Sequence, residues 1–314
     1  MPKDISKLAV VPMDGSKDAS KALNYIHTLY PTDHNLKLAL LHVLPALPPI
    51  MVAEAKTNRR TAHHLKLMQD KHHILGNHVL DDAQKHLVRK GFRADQIEKT
   101  LERTRVGIAR DINAYVEKRR ADALVISGSS KSWLEGFFTG EITEKLLEIT
   151  QVCPIWVVKG TVKYAHVLIA VDGSPNSLRA VDHTGLMLAG TPNKITLIHV
   201  TNSMLRFFPK EVVQEMGELE DTWTQEAGDF IQPKLEMTRD MLIKAGVSPD
   251  QIDMKIVNGG RRLAKILLEE AQKCKAGAIV LGRRGMTDAN DYVMGSVTRK
   301  IVAQAENLAV WVVS

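Results

Sequence analysis

The segment LGRRGMTDANDYVMGSVTRKI (281–301) holds the residue types and spacing best suited to chemistry in this chain. Gly282 and Gly285 stand three apart, nine residues follow, and Gly295 then precedes Ser296, Val297 and Thr298. Glycines let a backbone approach a phosphate closely, and a helix opening at Ser296 turns its first N–H groups and two hydroxyls toward an anion. The pattern is neither G-x-G-x-x-G nor G-x-x-x-x-G-K-[ST], so dinucleotide and P-loop chemistry lose their main support. A plainer reading, glycine turns with Ser296 as a helix cap, explains each residue singly and the whole spacing less well. Arg283 and Arg284 read either as charge-assisted phosphate donors or as solvated loop arginines.

Two shorter segments belong with it. In AVDGS (170–174), Asp172 either accepts hydrogen bonds from adenine or ribose donors, or forms a turn with Gly173 and caps the next helix. In IHVT (198–201), the backbone of Val200 can read an adenine edge, and His199 reads as a satisfied core histidine. In an open parallel α/β sheet, ligands bind beyond the carboxyl ends of the strands where strand order reverses. All three segments follow short apolar runs, which places them together at that end.

The elements that must position these residues occur twice. LAVVPMDGSKDASKAL (8–23) matches VLIAVDGSPNSLRAV (167–181), and LALLHV (38–43) matches ITLIHV (195–200). ADALVISGSS (121–130) then matches AGAIVLGRRG (276–285), and CPIWVVK (153–159) matches LAVWVVS (308–314). Four blocks in one order at nearly constant offset mark a tandem duplication, with a boundary near 159–165 and domains of 1–160 and 161–314. Val/Ile/Leu runs alternating with helical periods predict parallel sheets covered by helices. In the second repeat the strands are expected at about 166–171, 194–200, 252–257, 277–281 and 308–313, and the helices at about 175–189, 209–245, 260–274 and 295–305. The second helix of the first repeat, about 52–90, is long and polar and carries His63, His64, His72, His73, His78 and His86. Its adjacent histidine pairs diverge around the helix, so a solvated face is preferred to a zinc site. Both repeats end in apolar strands, PIWVV and AVWVV, whose exposed edges are an aggregation liability that pairing with each other removes.

The spacing G-x-x-G, nine residues, G-[ST] resembles the nucleotide-binding signature of the universal stress protein family. The whole chain is similar to two such domains in tandem. The resemblance implies two doubly wound, Rossmann-like five-stranded sheets of order 3-2-1-4-5, arranged as a pseudo-two-fold pair that acts as its own dimer. It also implies ATP, with Mg²⁺ on its phosphates, as the ligand. Adenine and ribose would be met by Ala170, Asp172 and Val200, and the phosphates by Gly282, Gly285, Gly295, Ser296, Val297 and Thr298. The first repeat departs from the pattern. In ISGSSKSWLEGFFTGEITEKL, Gly128 and Gly140 remain, Lys131 replaces the second glycine, one residue fewer precedes Gly140, and Glu141 replaces serine. A carboxylate at that helix start repels a triphosphate and satisfies the helix dipole by itself. Pro12, Asp14 and Val43 still resemble the nucleoside-side contacts.

Three functions follow in order of preference: a stress-associated regulatory ATP-binding protein with one competent site, a nucleotide-independent interaction protein on the same fold, and a nucleotide-using enzyme. The chain carries no H-x-G-H, S-G-G-x-D-S or G-x-S-x-G motif to favour the last. A net charge of +6 scattered among acids, with aromatics at 5%, does not favour nucleic acid. Two cysteines, Cys153 and Cys274, form no disulfide framework and no C-x-x-C, which fits a reducing cytoplasm. The opening apolar run is too short for a signal segment and no stretch approaches a membrane span, so a cytoplasmic protein without membrane contacts is expected, and further homo-oligomerisation stays open.

Overall fold

The computed structural model of the chain describes residues 6–31, 34–128, 140–201, 212, 217–259, 262–285 and 294–314. Two compact units emerge, Ile5–His27 with Pro31–Cys153, and Pro154–Ser314 with Thr28–Tyr30. The first contains β1 (Lys7–Pro12), α1 (Ala19–Leu29, whose last two residues pack with the second unit), β2 (Leu36–Leu44), α2 (Pro49–Glu54), α3 (Arg59–Arg89), β3 (Ile97–Arg103), α4 (Ile108–Arg119), β4 (Ala123–Gly128) and α5 (Gly140–Ile149). Its strands are parallel in the order β3-β2-β1-β4. The second contains β5 (Ile155–Lys159), β6 (His166–Ala170), α6 (Pro175–Leu188), β7 (Ile195–Thr201), α7 (Gly217–Ala245), β8 (Ile252–Asn258), α8 (Leu263–Lys273), β9 (Ala276–Gly282), α9 (Ser296–Gln304) and β10 (Leu308–Val313).

In the second unit the order β8-β7-β6-β9-β10 is parallel throughout, as the doubly wound expectation requires. The inner strands are buried on both faces, which is why they read as unbroken Val/Ile/Leu runs. At the rim, β8 exposes Asp253 and Lys255, charges that discourage further strand pairing.

β5 lies beside β10 on the side away from β9. It runs antiparallel to β10, with Trp156 directly opposite Trp311. The strand that ends the first repeat in sequence therefore packs with the second unit, and the division by packing falls at Pro154. The two terminal strands do pair, as their apolar edges demanded. The Trp156 and Trp311 rings stack at 3.8 Å and 3°, and His183 of α6 meets both edge-on at 5.9 and 5.7 Å. The Trp156 Nε1–H donates to His183 Nε2 at 3.0 Å.

The helix expected at 52–90 is two helices. α2 stops at Glu54, and α3 restarts where the Asn58 side chain accepts from the N–H groups of Arg60 and Thr61, an N-cap inside what reads as one polar run. Only Gly76, Leu80, Ala83 and Leu87 of α3 are buried, so its first half is a solvated stretch. His86 Nε2 pairs with Asn24 Oδ1 at 2.8 Å and His73 Nε2 with Arg103 at 3.1 Å. Among the described residues no group of three His, Cys, Asp or Glu side chains converges as metal ligands, and no helix is long and apolar enough to cross a membrane.

Candidate functional site

β6 ends at Ala170 and the chain turns through Val171, Asp172 and Gly173 into α6. The Asp172 Oδ1 accepts from the Ser174 N–H at 2.9 Å, and Gly173 supplies the left-handed φ of +79° that this turn needs. Asp172 thus forms the turn but does not cap the helix. The cap is Ser174, whose Oγ accepts from the Ser177 N–H at 3.1 Å. The first repeat builds the same turn, with Asp14 Oδ1 accepting from the Ser16 N–H at 2.9 Å and Gly15 at φ +80°.

β7 runs beside β6, and the last paired residues are Ala170 and Ile198. The Val171 N–H still donates to the Ile198 carbonyl at 2.8 Å. Two residues on, strand alternation directs the backbone groups of Val200 to that same side, past the end of β6. His199 is half-buried rather than a core histidine, and it is satisfied: its Nδ1 meets the Val171 carbonyl at 2.6 Å. Burial pushes its pKa down, partly offset by that carbonyl and by Asp172. The first repeat repeats the bond between His42 and the Met13 carbonyl, also at 2.6 Å.

β9 delivers the glycine loop beside this turn. A Cβ on Gly282 would stand 2.7 Å from Asn176 Cβ and 3.0 Å from the Ser177 nitrogen, so this glycine lets β9 press against the first turn of α6. A Cβ on Gly285 would stand 2.9 Å from Asp172 Oδ2, which brings the second glycine directly against the aspartate. The loop is pinned at its base, for the Arg283 N–H donates to the Val313 carbonyl at 2.6 Å and the Arg283 carbonyl accepts from the Gly295 N–H at 2.9 Å. The Arg283 side chain is only 2% exposed, contrary to its reading as a solvated loop arginine. Burial, and then neighbouring Arg284, lower its pKa.

Gly295 is the N-cap of α9 and Ser296 its first helical residue. Ser296 is exposed and is not the cap, so its hydroxyl is not committed to the helix start. The N–H groups of Ser296, Val297 and Thr298 have no carbonyl one turn back inside the helix. Thr298 differs from expectation: it is buried, and its Oγ1 donates to the Gly282 carbonyl at 3.0 Å, tying helix to loop. Of the two hydroxyls in the motif, the one at Ser296 faces outward.

One residue near this site was not legible as part of it. Lys234 of α7 lies over the turn, with Nζ 3.1 Å and Cδ 3.0 Å from where a Gly173 Cβ would stand. Periodicity marks it only as a half-buried helix position.

In the first unit, Gly128 ends β4, Gly140 opens α5 and Glu141 occupies its first turn, while Lys131 lies outside the described residues. Glu141 lines a cleft of about 700 Å³ between the start of α4, Val106–Arg110, and the face of α5 carrying Glu144, Lys145 and Glu148. Pro12 ends β1, and the position over Gly15 is filled by Val79 Cγ2, 2.9 Å from where a Cβ would stand.

The universal stress protein family model matches residues 7–159 and again 163–314. The chain belongs to the universal stress protein family. Among solved structures, this tandem universal stress protein is similar to one from Archaeoglobus fulgidus, at 17% identity and a TM-score of 0.63, over 98% of each chain. It is also similar to a putative universal stress protein from Pseudomonas aeruginosa, at 16% identity and a TM-score of 0.55, over 99% of this chain and 94% of that one. A functionally unknown protein from the same species gives 16% identity and 0.55, over 99% and 93%. At such identities the likeness establishes the Rossmann-like fold of both universal stress protein domains and nothing about ligand. No curated protein matches the chain.

Proposed function

We propose that this universal stress protein is a regulatory ATP-binding protein with one competent site, in the second domain. The observation that carries the reading is the meeting of Gly285 with the Asp172 carboxylate beside a helix start whose first residue, Ser296, is exposed. A nucleoside suits the side formed by Ala170, Asp172 and the open backbone of Val200. The phosphates suit the N–H groups of Ser296, Val297 and Thr298 and the Ser296 hydroxyl, with Gly295 leaving the approach clear. That donor set is all N–H and O–H, which fits an anion and leaves a Mg²⁺ to be held through the phosphate oxygens. In the first domain the equivalent helix start carries Glu141, and the group over its turn is apolar.

A second reading, an interaction protein that needs no nucleotide, is favoured by Gly282 and Thr298. Both are accounted for by packing of β9, α6 and α9 on one another.

Calorimetric titration separates the two. About one ATP per chain is expected, and Ser296→Ala should weaken ATP by roughly tenfold or more, since a hydrogen bond to a charged group contributes about 1.5–3 kcal/mol. Adenosine affinity should not change. Because Ser296 is not the cap, the melting temperature of the variant should also stay close to that of the parent. No heat with ATP in the parent chain supports the interaction reading, and two equal sites per chain would end the asymmetry between domains.

A further inference from the structure

Lys234 is half-buried on α7, and its Nζ lies 4.2 Å from the ring centroid of Phe230, an exposed aromatic one turn earlier on the same helix. Among the described residues it makes no ion pair. A cation held against a ring and a glycine turn, without a carboxylate to neutralise it, is poised for an anion supplied from outside. Its field reaches the strand ends: burial chiefly lowers the His199 pKa, the Val171 carbonyl and Asp172 oppose that, and Lys234 adds the smallest lowering.

The first repeat provides the control. Lys234 and Val79 are 155 residues apart, the offset that also pairs Ala121 with Ala276, and each covers the glycine of its Asp-Gly-Ser turn. The first-repeat histidine, His42, feels Asp14 but no lysine. The two turns match in their backbone and differ in what α3 and α7 place above them.

We propose that Lys234 is the specificity residue of the second-domain site, donating from Nζ to an anionic oxygen of the bound nucleotide and so selecting nucleotides over nucleosides. This inference rests on the ATP-binding reading above. Gly173 has no side chain to fill the space between Lys234 and the turn, so the ammonium group can reach over it. Lysine suits this task as a compact charge on a flexible stem with three donors.

The test compares Lys234→Val, which copies Val79, and Lys234→Arg with the parent chain, using ATP and adenosine as titrants at low and moderate salt. Lys234→Val should weaken ATP about tenfold or more, leave adenosine unchanged and flatten the salt dependence of ATP binding. Lys234→Arg should retain most of the ATP affinity. If the parent binds ATP and Lys234→Val binds it equally well, this inference falls and the ATP reading stands. Equal loss of ATP and adenosine would make Lys234 a support of the turn and likewise overturn the proposal. If the parent binds neither titrant, the ATP reading falls and takes the proposal with it.

Discussion

Acidification from pH 7.5 to 4.5 should destabilise the parent chain more than its His183→Gln variant, by about 3 kcal/mol, because of one imidazole. His183 is buried against the Trp156–Trp311 stack, and that burial pushes its pKa down to about 3. Its Nε2 accepts the Trp156 Nε1–H, so a proton there would set two N–H groups against each other. An unfolded histidine titrates near 6.5, well above the folded value. Between those two values the unfolded chain binds the extra proton, so the stabilisation is complete above about pH 6.5 and is lost as pH falls toward 3. The slope is about 1.4 kcal/mol per pH unit for this group. His42, His199, His27 and His86 are also lowered chiefly by burial and add to the acid slope of both proteins, so the difference between them isolates His183. Gln is chosen because its carbonyl can still accept from Trp156, whereas Phe would bury an unsatisfied indole N–H at a cost of about 1–3 kcal/mol. Urea unfolding at several pH values provides the measurement. Parallel curves for parent and variant would show that His183 does not titrate in the way its burial requires.

Gly295→Asp should abolish ATP binding, at least about a hundredfold, and leave the fold intact. Gly295 has φ −59° and ψ 152°, a conformation open to any residue, and it occupies the N-cap, where aspartate is among the favoured types. The variant should therefore cap α9 with its own carboxylate, satisfying the N–H groups a phosphate would need and adding repulsion. Losing two charge-assisted hydrogen bonds alone is worth about 3 kcal/mol. Adenosine should bind the variant as it binds the parent. Gly285→Val is expected to behave differently. Its Cβ would come within 2.9 Å of Asp172 Oδ2, so the carboxylate must leave its turn and nucleoside contacts suffer as well. ATP and adenosine affinities should both drop in that variant. Undiminished ATP binding by Gly295→Asp would remove the phosphates from α9, and selective loss of ATP by Gly285→Val would move Asp172 away from the nucleoside.

The sequence alone determined what is local. Alternation of apolar runs with helical periods set the strands of the second repeat, and its helices α6, α8 and α9, to within a few residues, because burial on both faces imposes an unbroken apolar run; the start expected at 209 for the long helix lies outside the described residues. The Asp172-Gly173-Ser174 turn was visible because a side-chain acceptor and a left-handed glycine satisfy it, internal matching revealed the duplication, and the glycine spacing carried the family resemblance. The break between α2 and α3 escaped, since Asn58 caps a helix inside a run polar on both sides and no change of period announces it.

Tertiary structure decided which of these residues touch. That Ser174 and not Asp172 caps α6, that Thr298 commits its hydroxyl to Gly282, and that Arg283 is buried all depend on how β9, α6 and α9 pack. β5 joins the second unit because its antiparallel register with β10 sets Trp156 on Trp311, a match between strands far apart in the chain. Lys234 reaches the Gly173 turn through the placement of α7 after a crossover, and its counterpart in α3 is a valine. Period and turn chemistry are read within a few residues of chain. The group that fills the space above a glycine is set by the rotation and docking of a distant helix, which leaves no local signal.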